Sequence, residues 1–308
     1  MMLKQQAETF IRQIQNRRRN PVRPATVRAY QAHLSKWILP LLGHLDLSQV
    51  ENGMAKTFIQ SLSETGLSAA SINSIFSTLK MVVASAVDAN GNELYPRKWN
   101  HEFIDLPTVV AANQDAPIVP AAVVETALGR AQRQDKALYA LLAGSGARMG
   151  EVLALMVGPD DGQNSFWDPE TATLTIRTTL TRGKIQMAPK TEAGVRKVDL
   201  APELNTFLCQ LLLPHQGLLF TSGVGGPVRP NTAYEHLKAA GITEGFHAFR
   251  RFRITHLESV GCPPGLQRLW TGHAANDVHE KYIKMGENLE VRKTWAQRAG
   301  LGFSLETQ

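Results

Sequence analysis

The sequence predicts a two-domain, mainly α-helical chain whose second domain is mixed α+β with a small antiparallel sheet. Three observations carry this expectation. Its 308 residues exceed the usual size of one domain and favour units of roughly 100 and 200 residues. Apolar residues recur at helical spacing along most of the chain, and the pattern changes to a period of two only between Asp160 and Leu200. Pro96, Pro107, Pro117 and Pro120 punctuate a single stretch between the two regions.

The boundaries that follow are a helical domain over 1–106, a linker over 107–120, and a second domain with its C-terminal tail over 121–308. A hydrophobic fraction of 43% supports two packed cores, and 19% charged residues is too few for a charged disordered chain. The net charge of +6 suits a polyanionic partner without requiring one. Two cysteines, Cys209 and Cys262, give neither a disulfide framework nor a paired metal-ligand spacing, which fits a reducing cytoplasm. No window approaches 18 uncharged apolar residues, and Gln5, Gln6, Glu8, Arg12 and Gln13 interrupt every apolar run at the start. The expectation is a cytoplasmic protein with no membrane association.

Residues 1–36 hold eight Lys or Arg against one acidic residue, Glu8, with Arg17, Arg18 and Arg19 consecutive. Leu3, Phe10, Ile11, Ile14, Val27, Tyr30 and Leu34 run through the same tract, so it reads as helices separated near Asn20-Pro21 with a basic face. Arg17, Arg18, Arg19, Arg23 and Arg28 are candidate nucleic-acid contacts, and an ordinary solvated face explains them equally well. Thr26 is a candidate cap for the second helix. Pro40 and Gly43 are expected to break the region, and a short helix follows over Ser48–Ser61. From Ser68, the residues Ile72, Ile75, Phe76, Leu79 and Val83 form an apolar helical stripe. Ser71, Ser74, Ser77 and Thr78 lie beside it, facing a phosphate backbone, packing against another helix or facing plain solvent.

The second domain opens with helices over Ala121–Arg133 and onward from Asp135. Ser145-Gly-Ala-Arg148-Met-Gly-Glu151 then makes a glycine turn into another helix, with an arginine fork suited to phosphate at the turn. Taken alone, Arg148 and Glu151 read as a local ion pair, a reading that only residues elsewhere in the chain can overturn. Thr171–Leu180 alternates as a strand, Gly183 marks a turn, and Val195–Leu200 gives another strand. Pro189-Lys190-Thr191 falls on the connection, where a lysine can protonate a leaving oxygen, and Lys184 competes for that role. Helix resumes at Ala201 with Leu204, Phe207 and Leu208 as core. The loop Gly217–Pro230 lacks the Lys-Ser or Lys-Thr ending of a nucleotide phosphate loop, so no ATP chemistry is assigned to it. Asn231 is a candidate cap for the next helix.

His247 and Arg250 then share one helical face, Arg251 and Arg253 add charge as further candidate DNA contacts, and Gly272-His273 precedes Tyr282 by nine positions from the histidine. A zinc site of His256, Cys262 and His273 lacks the compact paired spacing of such motifs.

In this order, the segments around Arg148, Lys190, His247-Ala-Phe-Arg250, Gly272-His273 and Tyr282 resemble the active-site pattern of the tyrosine site-specific recombinases, the phage integrase family. Two features depart from that pattern. Arg251 stands where a histidine is common, and Trp270-Thr271 replaces the usual aliphatic residues. The resemblance implies a SAM-like core-binding domain ahead of a catalytic domain, closing on double-stranded DNA as a clamp. It further implies that Tyr282 attacks a phosphodiester to give a 3′-phosphotyrosyl bond, with Arg148 and Arg250 clamping the nonbridging oxygens and His273 assisting. His247 would accept the tyrosine proton, Lys190 would protonate the 5′-oxygen, and Glu151 would orient its neighbours. No cofactor, metal or ATP is required. Strand exchange through a four-way junction implies a homotetramer on paired sites, formed from protein that is monomeric when free, with a simple Xer-like organisation and no preceding arm-binding module. Leu289, Val291, Trp295, Leu301 and Phe303 anchor the tail either on its own domain or on a neighbour. A type IB topoisomerase, a telomere resolvase and a catalytically silent DNA-binding protein are the alternatives, and the first and last are separated from a recombinase by a need for paired sites and by loss of chemistry in Tyr282→Phe.

Overall fold

The structure is a computed structural model describing residues 1–110, 117–187, 195–273 and 287–305. Lys190 and Tyr282 therefore lie outside the described residues. The chain divides into two compact units, Met1–Gln114 and Asp115–Gln308, each with its own apolar core.

The first unit is built from α1 (Leu3–Gln15), α2 (Pro24–His33), α3 (Leu39–Leu42), α4 (Asn52–Ser63) and α5 (Ala69–Ala84). Leu3, Ala7 and Phe10 of α1 meet Phe58, Ile59 and Leu62 of α4 and the α5 stripe from Ile72 to Val83 in one buried cluster. Ser68 caps α5 by accepting the Ser71 N–H at 3.3 Å. Thr26 caps nothing. Arg23 occupies the N-cap position of α2 and Pro24 the first turn, where its fixed φ is already helical and its missing N–H costs no bond. Pro40 does not break the region either. A π-helical turn over Leu34–Ile38 joins α2 to α3, and the Leu39 N–H reaches back to Leu34 O, so the wider turn accommodates the proline that follows. Thr78 is fully buried, bonded to His33 Nδ1 at 2.8 Å and donating to Ser74 O, so it packs α5 against α2 and faces no solvent.

The second unit is organised around α7 (Arg133–Ser145), which is buried from Ala137 to Ser145. Around it pack α6 (Ala121–Arg130), α9 (Pro202–Leu212) and α11 (His247–Ser259). The remaining described helices are α8 (Met149–Val152), α10 (Pro230–Ala239), α12 (Pro264–Thr271) and α13 (Leu289–Ala299). Asn231 is the second residue of α10 and not its cap, because Pro230 again starts the helix after Arg229.

A five-stranded sheet runs in the order β6 (Arg196–Asp199), β3 (Thr173–Ile176), β2 (Ser165–Asp168), β1 (Leu155–Val157) and β7 (Gly217–Leu218). It is antiparallel except for the β1–β2 pair. The alternating stretch after Thr171 is two strands, not one. Ser165 Oγ accepts the N–H of both Arg177 and Thr178 at 2.8 Å, which turns the backbone there. The chain leaves the sheet as a separate ribbon, β4 (Thr178–Thr181) with β5 (Lys184–Met187), around the Gly183 turn.

The C-terminal segment packs on its own unit. Ala296, Ala299 and Leu301 join the core, Arg253 donates to Gly300 O at 2.6 Å, and His256 Nε2 bonds Ala299 O at 2.8 Å. Among the described residues no helix is long and apolar enough to cross a membrane.

Candidate active site

The buried end of α7 delivers the first component. Gly146 caps that helix with φ +69°, a left-handed conformation that glycine adopts without strain, and the chain turns at once to Arg148 at the N-cap of α8. The Arg148 side chain is 45% exposed, whereas Glu151 is 4% exposed. Glu151 accepts the Arg148 backbone N–H at 2.8 Å and its Nη1 at 3.0 Å, so the arginine is held from both ends while one face of its guanidinium stays open.

Helix α11 delivers the second component. Arg250 is 2% exposed and donates from Nη1 to Gly146 O at 2.9 Å, which fastens α11 to the turn carrying Arg148. Its Nη2 lies 3.0 Å from His273 Nε2. An arginine can only donate, so this nitrogen of His273 accepts, Nδ1 carries the proton, and that proton faces Thr271 Oγ1 at 3.2 Å. His273 follows Gly272, the left-handed cap of α12 at φ +68°. His247 begins α11 on the exposed side, and among the described residues its ring has no hydrogen-bond partner.

These groups form one electropositive surface. Burial, reinforced by Arg148 and Arg196, pushes Arg250 down to about 10, where it still carries full charge at neutral pH. Burial also lowers His247, and Arg251, Arg250 and Arg148 lower it further. His273 is lowered by burial and then by Arg250, Arg148 and Arg196. Both imidazoles are therefore neutral at physiological pH beside guanidiniums that are not. Burial pushes the Glu151 carboxyl up, but hydrogen bonds and charge from Arg196, with the Arg148 N–H, outweigh it and hold Glu151 below the ordinary carboxylate range. Such a surface can hold an anion and offers an unprotonated nitrogen beside it, with no nucleophile among its described members.

The structure thus brings Arg148, Glu151, His247, Arg250 and His273 together. It does not bring Arg253 with them. Arg253 is 2% exposed beneath the Gly146 turn and donates to Gly300 O, so it packs the C-terminal segment and is not free to touch DNA. Arg251 is half-buried and gives its Nε to Pro117 O at 2.7 Å. Arg17, Arg18, Arg19 and Arg28 are exposed on the first unit and Arg23 is half-buried, and no described side chain pairs with any of them. His256 spends a ring nitrogen on Ala299 O, and no three described His, Cys, Asp or Glu side chains are grouped as metal ligands would be.

Sequence reasoning missed Arg196 and Asp199. Arg196, 4% exposed, donates to both oxygens of Glu151 and to Trp270 O. Asp199, 3% exposed, accepts from Trp270 Nε1 at 3.0 Å and from Arg292 at 2.8 and 3.0 Å. The signal for Arg196 was present, because in a strand of period two it shares a face with the apolar Val198 and Leu200. A charge on that face requires a buried partner.

The fold is similar to that of solved DNA integrases. Residues 7–90, within the first unit, match the family described as phage integrase, N-terminal SAM-like domain. Among solved structures, a Tn1549 transposon integrase in complex with transposon right end DNA superposes with a TM-score of 0.70 at 20% identity, covering 93% of this chain and 99% of that one. A lambda integrase dimer bound to a COC′ core site gives 0.62 at 16% identity, covering 95% of each chain. A lambda integrase tetramer bound to a Holliday junction gives 0.62 at 15%, covering 90% of this chain and 79% of that one. No curated protein matches the sequence.

Proposed function

We propose that this chain is a tyrosine-type site-specific DNA recombinase that cuts and rejoins strands without ATP or a cofactor. The observation that supports this best is the convergence of Arg148, Arg250, His247 and His273, from three separate chain segments, on one anion-binding surface. The domain match and the integrase fold fit the same reading.

In this mechanism Tyr282 Oη attacks the scissile phosphorus, the P–O5′ bond breaks, and a 3′-phosphotyrosyl bond forms. Arg148 and Arg250 hold the two nonbridging oxygens and neutralise the charge that builds in the pentacoordinate state. An arriving oxygen takes over the Arg250 Nη2 hydrogen bond that His273 now accepts. By turning its proton away from Gln267 O, to which it donates at 2.6 Å, Thr271 Oγ1 can then donate to Nδ1, which frees the other tautomer of His273 to donate to the phosphate. His247 accepts the tyrosine proton, and Lys190 supplies a proton to the departing 5′-oxygen. A partner strand's 5′-hydroxyl reverses these steps and reseals the backbone, so the bond energy is conserved. Repeating the exchange on the second strand pair passes through a four-way junction and calls for four protomers on paired duplex sites, assembled from monomers by the DNA. Arg17, Arg18, Arg19, Arg23 and Arg28 supply phosphate contacts in the first unit.

Covalent trapping on a nicked duplex tests the reading. Two further results follow from the same chemistry. Lys190→Ala should slow attack on an ordinary phosphodiester by about a hundred-fold or more, yet have little effect when the 5′-leaving group is a thiolate needing no proton. Equal losses on both substrates would remove Lys190 from the acid role, and Lys184→Ala serves as the local control.

The second concerns pH. A histidine accepts a proton only in its neutral form, and His247 is shifted below its ordinary 6.5. Adduct formation is therefore expected to fall with decreasing pH at a midpoint below 6.5, as the imidazole becomes charged. A rate already halved above pH 6.5 would contradict the assignment.

A further inference from the structure

Arg148 and His273 reach the site on different segments, so something must set their separation. Arg196, on the edge strand β6, is placed to do so. Its side chain is 1% exposed, too buried to touch DNA. Nη2 donates to Glu151 Oε2 at 2.8 Å and Nη1 to Oε1 at 3.2 Å, a fork onto a carboxylate 45 residues away in sequence. Glu151 in turn holds Arg148 by its backbone and its guanidinium. On the other side, Arg196 Nε donates to Trp270 O at 2.9 Å, in the last turn of α12, 74 residues away. Trp270 leads through Thr271 and Gly272 to His273.

The loop lies directly on the guanidinium. A Cβ at Gly272 would stand 2.9 to 3.1 Å from Arg196 Nη1, Cζ and Nε, closer than any carbon can sit without displacing it. A buried ion pair of this kind contributes little net stability relative to a well-packed apolar replacement, so its geometry rather than its energy is what distinguishes it. The geometry points to Arg196 as a positioning residue: through Glu151 and the Trp270 carbonyl, it fixes the spacing between the Arg148 clamp and His273. This rests on the recombinase reading above.

The test compares wild type, Arg196→Met and Arg196→Lys on two nicked duplexes, one with an ordinary scissile phosphodiester and one with a methylphosphonate there. The methylphosphonate has a single nonbridging oxygen and no charge, so it has far less need of an aligned arginine clamp. Displacement of a clamp by about 1 Å costs on the order of a hundred-fold in rate, so Arg196→Met should lose about that much on the phosphodiester with its DNA affinity unchanged. On the methylphosphonate the deficit should shrink to within about ten-fold, and Arg196→Lys, which keeps the charge but not the fork, should fall between. Should Arg196→Met fail to fold, Gly272→Ala serves instead, since its methyl group displaces the guanidinium without removing it, and the same substrate pattern is expected.

Equal deficits on the two substrates, or a wild-type rate in Arg196→Met, would overturn the inference. Wild-type protein without any adduct would instead overturn the recombinase reading. In that case, ring-proton NMR of His273 still tests the anchor without catalysis: its resonances and titration should shift in Arg196→Met, and unchanged ones would overturn it.

Discussion

Tyr282→Phe is expected to abolish covalent attachment to DNA while leaving affinity for the same duplex within about two-fold. The substitution removes one oxygen and keeps the ring, so contacts that hold the duplex persist. The phosphate clamp supplied by Arg148 and Arg250 also stays in place, with Arg250 still fastened to Gly146 O. What is lost is the only atom assigned to bond phosphorus, and removing a covalent nucleophile costs on the order of a million-fold in enzymes of comparable logic. Residual cleavage through the neighbouring groups would be a hydrolysis, distinguishable because no protein remains on the DNA. A denaturing gel of labelled nicked duplex, run beside a native binding gel, reads both quantities. An adduct formed by the variant at the wild-type rate would transfer the role to another nucleophile.

The second large effect is expected at Arg148. It is the clamp residue whose role can be tested with little collateral damage, because its side chain is 45% exposed and Glu151 keeps its Arg196 partner when Arg148 is gone. Arg250 offers no such separation, since it is 2% exposed and also ties α11 to the α7 turn. Arg148→Ala is therefore expected to fold and to bind DNA, with single-turnover adduct formation slowed by about a hundred- to a thousand-fold, the usual cost of one lost oxyanion donor. A rate within about ten-fold of wild type, or a loss of binding as large as the loss of rate, would mean that Arg148 binds DNA without stabilising the transition state.

Long amphipathic stretches made the helices legible. The α5 stripe from Ile72 to Val83 and the turn-to-helix signal at Gly146-Ala-Arg148 both appear in the structure where the spacing put them. Local breakers were less dependable, because tertiary packing decided their meaning. Pro40 sits inside a continuous helical run only because a π turn before it widens the ladder, and no residue preference announces such a turn. Strands β1, β2 and β7 are two to four residues long, too short for a period to show. Side chains hid the corner at Arg177, where the alternation continues while Ser165 Oγ bends the backbone.

The candidate site residues Arg148, His247, Arg250 and His273 were legible as an ordered set. The residues that hold them were not. Arg196 and Asp199 act through partners far away in sequence, Glu151, Trp270 and Arg292; the period-two face that Arg196 shares with Val198 and Leu200 signals its burial, but not which partners it holds. Arg253 shows the converse. It looks like its neighbours in a basic helix, yet it is buried among the C-terminal residues.

The measurement that bears most directly on the central claim is the polarity of the covalent product. Wild-type protein is incubated with nicked duplexes drawn from a binding-site selection, each strand labelled separately at either end, and the denatured products are digested with protease. The expected product is a peptide on the 3′-phosphate of the cleaved strand through a tyrosine linkage, with a free 5′-hydroxyl on the released fragment that a polynucleotide kinase can phosphorylate. Protein attached to a 5′-phosphate, or sites bound and never covalently joined, would contradict it.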